Sequence, residues 1–142
     1  MRKPDWTATP ATSSRMRCVP SAGTRPELRV GRALKRLGYS FKSHVTNVPG
    51  RPDFTLTRRR KVIFVHGCFW HRHGKRCRLC STPTRNVELW MAKFNRTQAR
   101  DRVARRRLRA MQFAVLTLWE CQLRRWNDEA LERKLAAFVE EA

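Results

Sequence analysis

One loop constrains this chain more than any other feature. Residues 66–84 hold three of its four histidines and three of its five cysteines: His66, Cys68, His71, His73, Cys77 and Cys80. A connection of that length is unusual in a chain of 142 residues, and long loops in small domains usually carry function. Thiolates and imidazoles at this spacing are the ligands zinc takes in closed tetrahedral sites. Cys68, His73, Cys77 and one further thiolate would complete a Cys₃His structural site. An odd cysteine count with no apolar leader also argues for metal ligation over a disulfide framework.

The surrounding pattern sets the fold class. Thr24-Arg25-Pro26-Glu27 reads as a helix-opening capping box, and Leu28, Ala33, Leu34 and Leu37 are expected to form an apolar face that ends at Gly38. Tyr39 to Val45 alternates with period two and predicts a half-buried strand, followed by a Pro49-Gly50 turn and a short strand at Phe54-Thr55-Leu56. After a polar turn at Arg58-Arg59-Arg60, Lys61 to Val65 is β-branched and apolar, as a central strand buried on both faces should be. Beyond the loop the pattern is helical from about Arg85 to Met111, anchored by Trp90, Phe94, Val103 and Leu108. Ala114 to Trp119 is a fourth strand, and Asn127 or Asp128 opens a terminal helix with Leu131, Leu135 and Phe138 facing inward. The order predicts one α/β domain over residues 24–142: a mixed central sheet flanked by helices, preceded by a flexible basic arm at 1–23. No apolar run approaches a membrane span, so the chain is read as soluble and cytoplasmic, with no membrane partner.

Charge narrows the partner. Thirty-two Lys and Arg against 11 Asp and Glu leave a formal charge of +21, which disfavours a neutral-ligand enzyme and favours a polyanion. Arginine dominates, and its planar guanidinium suits bidentate phosphate contact. Arg105, Arg106 and Arg107 make the helix after the loop a candidate phosphate-facing surface.

Several residues can carry chemistry. Asp53, at a strand start close to the loop, is either a turn former or a Mg²⁺ ligand of the kind that leaves most of the ion's waters in place. His66 and His71 flank Phe69-Trp70 and are candidates for acid–base work or for support of the zinc site. Phe69 and Trp70 either pack in the core or serve as wedges that enter a base stack. Glu27 is either a cap alone or a functional carboxylate.

In combination these segments resemble the very-short-patch mismatch-repair endonucleases, a family with a restriction-endonuclease-like fold. The resemblance lies in Pro49-Gly50-Arg51-Pro52-Asp53-Phe54, in Val62 to His71 and in Trp119-Glu120-Cys121, with Thr24-Arg25-Pro26-Glu27 before them. It implies Mg²⁺-dependent nicking of one strand of double-stranded DNA, 5′ to the thymine of a T·G mismatch left by 5-methylcytosine deamination. On that resemblance Asp53 and the main-chain carbonyl of Val65 would hold Mg²⁺, and Glu27 would hold metal-bound water. His71 would act as general base, and His66 would support the phosphate or leaving group. Zn²⁺ would sit on Cys68, His73, Cys77 and Cys121, with Cys80 as the alternative third thiolate. Phe69, Trp70 and Trp90 would wedge beside the mismatch, and Met16, in the arm, would contact DNA. The resemblance also implies a monomer whose companions are mismatch-repair proteins and a cytosine methyltransferase. Two other functions fit the same charge and cysteines: a zinc-stabilised DNA-binding module without catalysis, and a sequence-specific restriction endonuclease of related fold.

Overall fold

Thr24 accepts a hydrogen bond from the Glu27 amide at 3.4 Å and opens the first helix, α1 (Arg25–Arg36), with proline in its first turn. A computed structural model of the protein describes residues 24–74 and 76–141. The basic arm, including Met16 and Cys18, lies outside the described residues. Gly38, at φ 81°, supplies the left-handed conformation that releases the chain from α1. The buried face of α1 is Glu27, Val30, Ala33 and Leu34. Leu28, expected on that face, is 49% exposed instead, because the three- and four-residue spacing that buries Val30 and Leu34 turns position 28 outward.

The expected strand over 39–45 shortens to β1 (Lys42–Ser43), which pairs antiparallel with β2 (Phe54–Leu56). His44, at φ 53°, breaks the extended run. A 3₁₀ turn (Thr57–Arg59) leads into β3 (Lys61–His66), buried along nearly its whole length as the apolar run predicts. β3 pairs antiparallel with β2 and parallel with β4 (Ala114–Trp119), so the sheet is mixed, in the order β1-β2-β3-β4. The long loop folds locally into a one-turn helix, α2 (Cys68–His71), and the parallel crossover from β3 to β4 runs through α3 (Val87–Ala110). After β4 come α4 (Glu120–Arg125), a helix the sequence reading did not anticipate, and α5 (Asp128–Glu140), whose cap Asn127 accepts from the Ala130 amide at 2.8 Å.

Two layers of apolar side chains fill the two faces of the sheet. On one face Phe54, Leu56, Ile63 and Leu118 meet Val30, Ala33 and Leu34 of α1, Leu123 of α4, and Leu131, Leu135 and Val139 of α5. On the other Val62 and Phe64 meet Leu108 of α3 and Phe113. Period-two alternation therefore gives Val62, Phe64 and His66 to the α3 face. Along α3 the inward positions are Phe94, Thr97, Ala104 and Leu108. Val103, expected as an anchor, is 43% exposed, one step off that face. The Pro49-Gly50 turn is pressed against α3: a Cβ on Gly50 would lie 2.6 Å from Ala104 Cβ, and φ there is 78°. The turn thereby fixes where the following Asp53 sits. Among the described residues no helix is long and apolar enough to cross a membrane.

Candidate active site and metal centre

β3 delivers the site. Its pairing with β2 reaches only as far as Ile63, so Val65 and His66 extend past the last backbone partner on that side. The Val65 amide, left over by the ladder, donates to Asp53 Oδ2 at 2.6 Å. A residue's N–H and C=O leave an extended strand on the same side, so the Val65 carbonyl opens into the notch that Asp53 occupies. Glu27, from α1, is 6% exposed and hydrogen-bonds to Asp53. Its Oε2 also lies 2.9 Å from His44 Nε2. Burial, and then the hydrogen bond to Glu27, raise the Asp53 carboxyl from 3.8 to about 8 against the pull of the Val65 amide. A carboxyl pair that shares a proton in this way presents a ready exchange of that proton for a cation. Asp53, with the Glu27 carboxylate beside it, offers the oxygen donors that Mg²⁺ takes, and the donor atoms of Glu27, His44 and Asp53 lie within 4.8 Å of one another.

The α3 face of β3 holds a second cluster. His66 and His71 stack with ring centroids 3.7 Å apart and planes 5° from parallel. His71 Nδ1 lies 2.6 Å from Asp101 Oδ2. His66 is 6% exposed, its Nδ1 has no hydrogen-bond partner among the described residues, and burial first, then the neighbouring His71 and Arg105, against an opposing pull from Asp101, lower it to about 3. It is therefore a neutral ring at physiological pH, able to donate or accept a proton in a hydrogen bond but not to act as a fixed cation. Burial acts to raise the Asp101 carboxyl, yet the hydrogen bond and charge of His71, with His66 and Arg105 behind them, hold it below its ordinary value. An anion at Asp101 fixes the tautomer and orientation of His71, leaving Nε2 to meet a reacting group.

The third cluster is made of thiols. The ligand atoms of Cys68, His73, Cys77 and Cys121 all lie within 4.8 Å of one another. His73 Nδ1 is 3.7 Å from Cys68 Sγ and 3.2 Å from Cys121 Sγ, and the Cys121 amide donates to Cys68 Sγ at 3.4 Å. Tetrahedral donors about 2.3 Å from a zinc ion lie about 3.7 Å apart, so the spacing fits Zn²⁺ with little movement. Burial, together with hydrogen bonds from the other thiols, pushes Cys68 up to about 12. At Cys77 burial acts to raise the thiol, but the backbone at Leu79 and Cys80 and the other two thiols together outweigh this and lower it. Cys80 is not among the four converging residues. His73 stacks on Trp119 at 4.2 Å, which ties the cluster to the end of β4.

Phe69, Trp70 and Trp90 come together above buried Phe94. Phe69 meets the other three rings edge-on at 5.1–5.4 Å. All three are half-buried. Arg72 braces them from the loop, with its guanidinium 4.1 Å over Phe94 and hydrogen bonds to Ser81 and Thr82. Arg106 and Arg107 are exposed, whereas Arg105 is half-buried and its charge acts on His66 and Asp101. The three arginines thus do not share one face.

Sequence reasoning passed over two contributors. Asp101 is the one acidic residue after the first turn of a helix otherwise rich in arginine, a signal visible in the chain. His44 was absorbed into a strand alternation.

The chain is similar to known proteins over most of its length. A family model described as DNA mismatch endonuclease Vsr matches residues 5–79. The chain is 38% identical to the DNA mismatch endonuclease Vsr of Escherichia coli K12 over 130 residues, covering 89% of this chain and 82% of that protein. It is 41% identical over 108 residues to the type II nicking enzyme V.XorIIP of Xanthomonas oryzae pv. oryzae, covering 76% and 78%. It is also 30% identical over 123 residues to the type II nicking enzyme V.NmeAIP of Neisseria meningitidis, covering 87% and 85%.

Proposed function

The chain belongs to the DNA mismatch endonuclease Vsr family, and from that premise we propose that it nicks double-stranded DNA 5′ to the thymine of T·G mismatches, in a Mg²⁺-dependent hydrolysis. The observation that carries this reading is the paired arrangement at the end of β3: a metal-type carboxylate site on one side and a His71–Asp101 pair on the other. A DNA-binding module would have no use for both.

Mg²⁺, when bound, neutralises charge at the scissile phosphate and supplies ordered water. Asp53 and the Val65 carbonyl are the residues that would hold it, with Glu27 orienting its water. His71, steered by Asp101, takes the proton of the attacking water at Nε2. His66, neutral and desolvated, offers a hydrogen bond to a phosphate or leaving oxygen. Zn²⁺ would sit on Cys68, His73, Cys77 and Cys121, where it does no chemistry but holds α2 and β4 in register. Phe69, Trp70 and Trp90 would press into the stack beside the mispair, where unstacking costs least. Arg106 and Arg107 would meet the backbone phosphates. The protein would act on bacterial DNA in the cytoplasm as a monomer with a restriction-endonuclease-like sheet, alongside mismatch-repair proteins and a cytosine methyltransferase.

Three labelled duplexes differing at one pair test the substrate: T·G, T·A and C·G, each incubated with Mg²⁺ and resolved strand by strand. Nicking of the T strand of the T·G duplex alone is expected. Cleavage of the matched duplexes would support a restriction enzyme, and tight binding without any cleavage would support a binding module.

A further inference from the structure

Three elements distant in sequence each send one donor atom toward the notch beside β3. α1 brings Glu27, the turn after β1 brings His44, and the start of β2 brings Asp53, with ligand atoms all within 4.8 Å of one another. The tightest pair is His44 Nε2 and Glu27 Oε2, at 2.9 Å. Adjacent donors in an octahedron about 2.1 Å from its ion lie about 3 Å apart, and opposite donors about 4.2 Å. The trio is thus already spaced close to the ligands of one cation.

The backbone holds His44 in place at some cost. Its φ is 53°, a conformation that non-glycine residues seldom adopt and that tends to persist where surroundings enforce it. Its amide donates to the main-chain carbonyl of Asp53 at 3.3 Å, which couples the turn directly to the carboxylate it faces. The His44 side chain is 41% exposed while Glu27 is nearly covered, so a hydrated ion can reach the imidazole from solvent.

We infer that His44 is a direct ligand of the cation held by Asp53, with Glu27 on the side between them, and that this nitrogen donor gives the site a higher affinity for Mn²⁺ than for Mg²⁺. The inference rests on the reading of Asp53 as a metal ligand. Mg²⁺ prefers oxygen donors and sheds water reluctantly. Imidazole favours first-row transition ions, so a mixed nitrogen–oxygen set tilts the site toward them while Mg²⁺ continues to bind through the oxygens.

The test uses the full-length zinc-loaded protein and Mn²⁺ itself as the probe. Loss of the free-ion EPR signal measures affinity, competition with Mg²⁺ gives the preference, and pulsed EPR reads ¹⁴N coupling from a coordinated imidazole. One Mn²⁺ bound about tenfold more tightly than Mg²⁺, with ¹⁴N coupling, is expected from the donor set. His44→Asn is the informative variant, because asparagine tolerates the left-handed backbone and spares the turn. It should abolish the ¹⁴N coupling and lower Mn²⁺ affinity more than Mg²⁺ affinity, so that the Mn²⁺ preference shrinks, while zinc content stays at about one per chain. His71→Ala should keep the coupling. Absence of ¹⁴N coupling in the wild type, its persistence in His44→Asn, or no saturable Mn²⁺ site would overturn the inference. A protein that shows the coupling but does not nick T·G duplex keeps His44 as a ligand and loses the mismatch function; one that nicks without the coupling does the reverse.

Discussion

Replacing Asp53 by asparagine should stabilise the metal-free fold while destroying its metal site. The Asp53 carboxyl titrates near 8 in the folded protein against 3.8 as its ordinary value, raised by burial first and by the hydrogen bond to Glu27 second. A carboxyl raised by folding contributes fully below its unfolded value, and that contribution is lost as pH climbs through the folded one, so the window runs from about pH 4 to about pH 8. Each pKa unit corresponds to about 1.36 kcal/mol, and the gap open at pH 7 amounts to on the order of 4 kcal/mol. Asparagine keeps the acceptor for the Val65 amide and offers Glu27 a permanent donor, so most of that penalty disappears. An increase of about 2–4 kcal/mol, or on the order of 10 °C in Tm for a domain of this size, follows at pH 7–8. The measurement is thermal unfolding of zinc-loaded wild type and Asp53→Asn at pH 4, 5, 7 and 8, without added Mg²⁺. The gain should be largest near pH 8 and vanish toward pH 4. Added Mg²⁺ should raise the Tm of the wild type only, since a ligand stabilises the state that binds it. A variant no more stable than wild type at pH 8, or a difference indifferent to pH, would refute the reasoning.

Three further outcomes follow from the same geometry. Cys77→Ser and Cys121→Ser should lose zinc and fold poorly, whereas Cys80→Ser should retain about one zinc per chain by elemental analysis. Asp101→Asn should lower the single-turnover nicking rate by about 10²-fold with DNA affinity and zinc unchanged, because it removes the anion that orients His71 and leaves the ring in place. Neutralising Arg106 and Arg107 together should reduce the slope of log K against log[salt] for duplex binding by about 2, measured by fluorescence anisotropy.

The sequence made most of the frame legible because its signals are local. The Thr24 cap, the apolar run of β3, the Gly38 stop and the Asn127 cap each depend on a few neighbouring residues, and each stands where the pattern put it. The cysteine–histidine density of 66–84 and Cys121 marked the residues that converge, though only the fold separates Cys77 from Cys80. What escaped was set by distance in sequence. Asp101 reaches His71 across 30 residues because α3 turns its inward face to β3; its isolation among arginines is visible in the chain, but nothing local pairs it with His71. His44 looked like a strand residue because alternation cannot reveal a left-handed φ. Leu28 and Val103 are apolar yet exposed, since one helical step of about 100° separates them from the buried stripe.

The central claim is that a cation at Asp53 and a base at His71 act together on a T·G duplex. Single-turnover nicking of that duplex in Mg²⁺, compared among wild type, Asp53→Ala and His71→Ala at matched zinc content and saturating protein, tests it most directly. The account predicts T-strand nicking by wild type, no detectable nicking by Asp53→Ala, and a rate about 10²–10⁴-fold lower in His71→Ala, with both variants binding the duplex normally. His71→Ala nicking at the wild-type rate, or Asp53→Ala retaining Mg²⁺-dependent activity, would contradict it.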